Sequence, residues 1–384
     1  GDFSFYRAYV SKGGLPADYS VDNVPYQPKN FLKVSAKGVS EGDFVMVTGY
    51  PGRTNRYRTA SEVENQFEWA YPEAKMLREQ FIKIINETAE EGSDERIKYE
   101  SLLAGLANYA KNFTSMIEFY AKSPMLADRK SRENDLADWI SKDTQRQKQY
   151  GKTLAMLDEL IAEGQEDQAR DIILGYIRYT TMLPTARRLY RLANEKSLAD
   201  IDREPGYQQR DMIRFKSSME RIDRRYAASV DKALLLEMLK RYAVLPQNER
   251  IDALDKVFGL GTVLNEARLS RILDRMYAKT TLGDMDSRLA WLEKSVEDFK
   301  LSKDPFIKFA VAMYDTDMQQ EKKSKALSGK LMKVRPQYMH AIIAFNRDQG
   351  KPVYADANSS LRVAVGHVKG YAPEDGLRAE PFTR

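Results

Sequence analysis

Two imidazoles, His340 and His367, and no cysteine occur among the 384 residues. Thiol catalysis, disulfides and cysteine-ligated metal are therefore excluded. A metal site would have to rest almost wholly on carboxylates, and neither metal nor cofactor is expected. His340 sits between Tyr338 and Ile342 in a stretch of helical period and reads as a packed or surface histidine. His367 follows Gly366 at a strand end without the neighbours of a catalytic base. No G-x-x-x-x-G-K-[ST], H-E-x-x-H, EF-hand or G-x-S-x-G pattern is present. Gly259-Leu260-Gly261 lacks a third glycine and reads as a helix-ending loop. Arg187-Arg188, and Arg221, Arg224 and Arg225, read as solvated helix faces. One acid is placed for chemistry: Asp2 heads the alternating segment Asp2-Phe3-Ser4-Phe5-Tyr6-Arg7, predicted as a strand. A carboxylate fixed at a strand end can hold an imidazole in one tautomer and stabilise the imidazolium formed during acyl transfer.

Three zones would have to position such an acid. Residues 1–60 carry strand and turn signals: Tyr9-Val10 is broken by Ser11 to Gly14, and Val21 to Asn30 reads as a connecting segment. Asp43 to Thr48 is β-branched and runs into the turn Gly49-Tyr50-Pro51-Gly52. From Ser61 to about Phe345 apolar residues recur at three and four, as in Leu234, Leu235, Met238, Leu239 and Tyr242. This predicts a run of amphipathic helices. Ser61 with Glu64 forms a capping-box pattern, and Gly151 and Gly164 are placed as helix stops. From about Gln349, Pro352 to Ala355 and Ser360 to Gly366 alternate again, with the turn signal Asp356-Ala357-Asn358 between them. The order β, helical, β implies an α+β protein in which a helical insertion interrupts one β domain.

Composition narrows the partners. Sixty-one basic against 56 acidic residues leave a net charge of +5, too small to argue for nucleic acid or an anionic membrane. No run reaches the roughly 20 apolar residues of a membrane helix. The first residues, Gly1-Asp2-Phe3, have no initiator Met and no leader pattern, and the chain reads as an internal fragment.

The acid, its strand, a linker over Asp22 to Ser40 and a strand closing in a glycine turn follow the order of chymotrypsin-like proteases. GDFSFYRAY, NVPYQPKNFLKVS, GDFVMVTGYPGRTNRY, ANYAKN and YADANSSLRVAVGHVKGY together resemble the dipeptidyl aminopeptidase BII family of bacterial serine dipeptidyl peptidases. GYPGRTNRY and DANSSLR are the most specific pieces. The resemblance implies parts of a chymotrypsin-like double β-barrel with a large inserted all-α domain that caps the cleft. On that reading residues 1–20 end the first barrel, 21–40 link the barrels and 41–60 begin the second. Residues 61–348 are the insertion, and 349–384 add further strands to the second barrel.

It also implies a secreted or periplasmic homodimer that removes dipeptides from oligopeptides with a free N-terminus. Asp2 matches the family's triad aspartate. Asn108 matches an asparagine that binds the substrate's α-amino group, and its amide oxygen can accept from an ammonium. No stretch resembles the family's T-A-x-H or G-N-S-G-S, so the chain holds the aspartate alone of the three triad members. A glutamyl-endopeptidase-like enzyme shares the GYPG turn but has no use for the helical insertion. A non-catalytic helical scaffold or binding module is the alternative outside the enzymes.

Overall fold

The β-branched run at 44–48 cannot close its own hydrogen bonds, and in the computed structural model, which describes residues 5–261 and 263–382, its partner comes from the far end of the chain. Strand β1 (Tyr9–Val10) pairs antiparallel with β2 (Val24–Pro25), and β3 (Phe44–Gly49) pairs antiparallel with β4 (Arg362–His367). The second register runs from Phe44 opposite His367 to Gly49 opposite Arg362. Gly42 N–H to Val368 C=O (2.8 Å) and Val368 N–H to Asp43 C=O (3.0 Å) extend that ladder. These strands belong to one unit, made of the described residues of 1–55 and 355–384; residues 56–354 form the other.

Three expectations about the strands change. Phe5 to Arg7 is not a strand: the last bond of the ladder runs from Tyr26 N–H to Ala8 C=O (2.9 Å), and in that register Tyr6 falls opposite Pro28, which has no N–H to donate. The segment expected to connect contributes β2. Residues 352–355 are not a strand either, since β4 takes its hydrogen bonds from β3 and not from a local hairpin. Asp2 lies outside the described residues.

The second unit is helical, as the three-and-four spacing requires. Its helices are α1 (Ala60–Asn65), α2 (Tyr71–Thr88), α3 (Asp94–Lys122), α4 (Met125–Ser141), α5 (Thr144–Tyr150), α6 (Thr153–Gln165), α7 (Gln168–Ile177) and α8 (Met182–Lys196). They continue with α9 (Met212–Glu220), α10 (Ala228–Ala243), α11 (Asp252–Phe258), α12 (Glu266–Lys279), α13 (Met285–Ala290), α14 (Val296–Lys300) and α15 (Pro305–Asp348). A π-helical turn, Gln66–Ala70, joins α1 to α2. Mostly helical with few strands, the chain is α+β.

Two apolar clusters hold this unit. The larger gathers Phe81, Tyr99, Leu189, Met238, Leu273 and Phe299 with the N-terminal part of α15. The smaller packs Leu136, Leu157 and Ile161 against Val334, Tyr338 and Ala341 near the other end of α15. Helix α15 has 44 residues, about 66 Å at 1.5 Å per residue, so it reaches both. Its N-terminus is fixed by Asp304, whose carboxylate accepts from Phe306 and Ile307 N–H, with Pro305 in the first turn. Each fully buried large apolar side chain contributes about 1.5–3 kcal/mol, which makes the clusters the main stabilising term.

Caps differ from expectation at two places. Thr59, not Ser61, caps α1, with Glu62 completing the box; Ser61 Oγ instead donates to Asp158 (3.0 Å). Gly151 does end α5, but Gly164 lies inside α6, where an added Cβ would meet Leu327 Cδ2 at 3.3 Å. Gly259 ends α11 in the left-handed region at φ 62°, which explains the glycine there.

Candidate functional site

Helix α3 carries Asn108 near its middle. The helix starts at Ser93, whose side chain accepts from Arg96 N–H, places Asp94 and Glu95 in its first turn and ends on Lys122. That charge order suits the helix dipole. Tyr99, Leu103, Leu106 and Ala110 recur at four, three and four and are buried, chiefly against α2. The opposite stripe is Ser101, Ala104, Gly105, Asn108, Lys111 and Asn112, small or polar and exposed. Asn108 therefore presents its amide away from the core.

A ladder of aromatic rings fixes that helix. Tyr120 stacks on Phe67 (4.7 Å, 12°), Phe67 meets Tyr71 edge-on (5.1 Å), Tyr71 stacks on Phe113 (4.7 Å), and Phe113 lies 6.0 Å from Tyr109. The π turn delivers Phe67 into this ladder; such turns shift the register of the residues that follow. At the ladder's end Arg78 of α2 lies over the rings of Tyr109 (5.2 Å), Phe113 (4.8 Å) and Tyr176 (5.5 Å). Its Nη1 donates to Ala74 C=O (3.1 Å) and bonds the Tyr176 hydroxyl, while its Nε is buried with no partner among the described residues. Asn108 thus neighbours a tyrosine held by a stacked guanidinium.

The Tyr176 and Tyr120 phenols cannot act as bases. Burial pushes the Tyr176 hydroxyl up to about 12 against the opposing Arg78 charge, and burial with the Glu68 carboxylate pushes Tyr120 up to about 12. Both stay protonated and serve as donors: Tyr176 to Ala74 C=O (2.8 Å) and Tyr120 to Glu68 (2.8 Å). The face can bind and orient polar groups.

The two histidines lie in different units. His340 is exposed on α15. His367 places Nδ1 3.0 Å from Gly42 C=O and its ring edge-on to Phe44 at 5.8 Å. Among the described residues no cluster of acids and histidines is arranged for a metal ion, and no helix is long and apolar enough to cross a membrane.

In the strand unit the two most specific sequence pieces meet. Thr54 Oγ1 donates to Asp356 (2.7 Å) and accepts from Ala357 N–H (2.8 Å), and Ser359 N–H donates to Pro51 C=O (3.0 Å). Arg362 ties the same turn through Ala355 and Asp356 carbonyls at 2.9 and 2.6 Å. Ser359 holds φ at 65°, a strained value for serine, where this network crosses.

Sequence reasoning missed Arg78 and the rings around it. The signal was present in Phe67/Tyr71 and Tyr109/Phe113, two aromatic pairs at i, i+4 on adjacent helices. The Arg187-Arg188 pair was misread: Arg187 forms a two-point ion pair with Asp317, and Arg188 is half-buried over Phe215 (4.8 Å). Arg221, Arg224 and Arg225 are exposed, as expected.

The model of the peptidase S46 family matches residues 1–384. An Asp/Glu-specific dipeptidyl-peptidase of Shewanella putrefaciens is 42% identical over 384 residues, all of this chain and 52% of its own length. An enzyme of the same name from Capnocytophaga gingivalis is 30% identical over 391 residues, again all of this chain and 52% of its own. The chain spans about half the length of the curated relatives it matches. Among solved structures, Porphyromonas endodontalis DPP11 with the dipeptide Arg-Asp superposes with a TM-score of 0.69 at 22% identity, over 97% of this chain and 52% of that one. The Arg-Glu complex gives 0.65 over the same shares. These structures speak for the fold. With the sequence match running unbroken along it, the chain belongs to the peptidase S46 family.

Proposed function

We propose that this chain is part of a serine dipeptidyl peptidase that removes dipeptides from peptides with a free N-terminus. The observation that carries the reading is the family match over residues 1–384, beside 42% identity to an enzyme named for that activity. Cleavage is acyl transfer: a serine oxygen attacks the peptide carbonyl, a histidine moves the proton to the leaving amine, and water releases the acylated dipeptide. Asp2 orients that histidine and stabilises its imidazolium. Histidine and serine come from the part of the relatives' length that this chain does not span. Asn108 takes the substrate ammonium on its amide oxygen, offsetting part of the ammonium's desolvation. The name of the relative at 42% identity extends the reading to Asp or Glu at the second substrate residue.

The same reading gives the chain its domain plan: the end of one chymotrypsin-like barrel, a linker, strands of a second barrel, and residues 61–348 inserted as the helical domain. It also makes the protein a periplasmic or secreted homodimer. Fluorogenic dipeptidyl substrates with free and acetylated N-termini test the activity in the full-length gene product. Release from the free form alone is expected. Cleavage of the acetylated form would point to an endopeptidase, and cleavage of neither to a helical binding module.

A further inference from the structure

A cavity of about 1010 Å³ opens between α7, α8, α15 and the loop around Tyr207, and its walls carry several guanidinium groups. Most are neutralised. Arg187 is paired with Asp317, Arg191 with Glu195 and Glu321 (3.2 Å), and Arg170 with Asp167 (2.8 Å). Among the described residues two of these groups have no ion pair, the exposed Arg178 and the half-buried Arg188, and only Arg188 is sheltered from solvent. Its guanidinium stacks on Phe215 at 4.8 Å and donates one bond, from Nη2 to Ser218 Oγ at 3.2 Å. Among the described residues no carboxylate lies within ion-pair distance of it, although Glu204, Asp317 and Glu321 also line the cavity, and a second cation, Arg225, bears on it. Burial and Arg225 press the group towards neutrality, the direction expected of a guanidinium without a counter-ion.

Beside it Tyr207 lines the same cavity, 5.8 Å from the Phe215 ring and 6.0 Å from the Arg191 guanidinium. Burial keeps its hydroxyl protonated. A half-buried fork with most of its donors unused, next to a phenol, matches the geometry of an oxyanion.

We propose that this cavity is an oxyanion site in which Arg188 and the Tyr207 hydroxyl hold a carboxylate or a phosphate, separate from the Asn108 face and independent of peptide cleavage. The occupant supplies the counter-charge that the protein itself omits, while the paired Arg187 and Arg191 shape the walls. Binding should stabilise the folded chain in proportion to ligand concentration.

Calorimetric titration of the full-length protein with inorganic phosphate and, separately, with succinate, at ionic strength held constant with chloride, tests this. Saturable binding of at least one probe is expected. Arg188→Gln should weaken it by about tenfold or more, and Arg188→Lys, which keeps the charge but loses the fork, by several-fold. Arg221→Gln, at an exposed position, should leave it unchanged. If Arg188→Gln does not fold, Tyr207→Phe gives the second reading, with about threefold or greater weakening. Binding of phosphate alone assigns a phosphoryl ligand, and of succinate alone a carboxylate one. No saturable binding of either probe, or the same affinity in the foldable variants as in the native chain, overturns the proposal.

Discussion

Thr54 and Asp356, 302 residues apart, share a 2.7 Å hydrogen bond that joins the turn after β3 to the turn before β4. The same hydroxyl accepts from the N–H of Ala357, which is buried. Thr54→Val keeps the shape and removes both bonds, leaving that N–H unsatisfied. The expected cost is about 1–3 kcal/mol, read as a fall in the urea midpoint, whereas Thr54→Ser should cost less than about 1 kcal/mol. Equal effects of the two substitutions would show that the hydroxyl is not what ties the turns.

A half-buried acid and a fully buried one in the helical unit should respond to pH in opposite directions. For Glu62 burial raises the carboxyl's proton affinity, but the Arg335 fork (2.8 and 3.1 Å), the Thr59 N–H and Arg58 outweigh it, and the group ends below its ordinary 4.5. A depressed acid stabilises the fold above its unfolded value and loses that contribution as pH falls through the folded one. Glu62→Gln should therefore cost about 1–3 kcal/mol at pH 7, with the deficit shrinking below about pH 4.5.

Asp231 shows the reverse. Burial dominates the Tyr277 hydroxyl (2.7 Å) and the Thr181 and Met182 N–H groups at the start of α8, and the acid ends above 3.8. Its contribution is complete below the unfolded value and declines as pH rises through the folded one. The stability difference between the native chain and Asp231→Asn should thus narrow from pH 4 upward. Urea titrations from pH 4 to 8 decide both cases, and slopes of one sign for the two variants would refute the assignment.

The same residues show what the sequence could and could not say. Leu234, Leu235, Met238, Leu239 and Tyr242 are all fully buried, because a three-and-four spacing in α10 needs only local geometry to be read. The cap of α1 was ambiguous locally, since Thr59/Glu62 and Ser61/Glu64 both fit the capping pattern. Arg335, 273 residues away, holds Glu62 and accompanies the first solution. The partners of β3 and of Arg187 are likewise distant in sequence, so neither the β3–β4 ladder nor the burial of the arginine pair was legible. For the site, Asn108 emerged from a matched motif, whereas Arg78 depended on which helix faces meet.

Gly164 tests how closely α6 approaches α15. Alanine gains about 1 kcal/mol of helix propensity over glycine. Its Cβ, however, would meet Leu327 Cδ2 at 3.3 Å, the tip of a side chain that can give by a few tenths of an ångström. Gly164→Ala should therefore be within about 1 kcal/mol of neutral, and Gly164→Val, which adds bulk in a crowded and less helical form, should lower the thermal midpoint clearly. A stabilised valine variant would mean that the two helices are less tightly packed there.

Asn108 separates binding from scaffolding because the two roles predict opposite signs. It is exposed in the middle of α3, where asparagine is a poor helix former, so Asn108→Ala should leave stability unchanged or raise it by up to about 0.7 kcal/mol. If its amide oxygen holds the substrate ammonium, the same variant of the full-length enzyme should lose about tenfold or more in kcat/KM on free dipeptidyl substrates. Asn108→Asp puts a carboxylate where the amide stood and should retain part of the affinity for a cationic terminus. Unaltered kinetics in the alanine variant, with its fold intact, would remove Asn108 from the site and leave the aromatic ladder as a purely structural device.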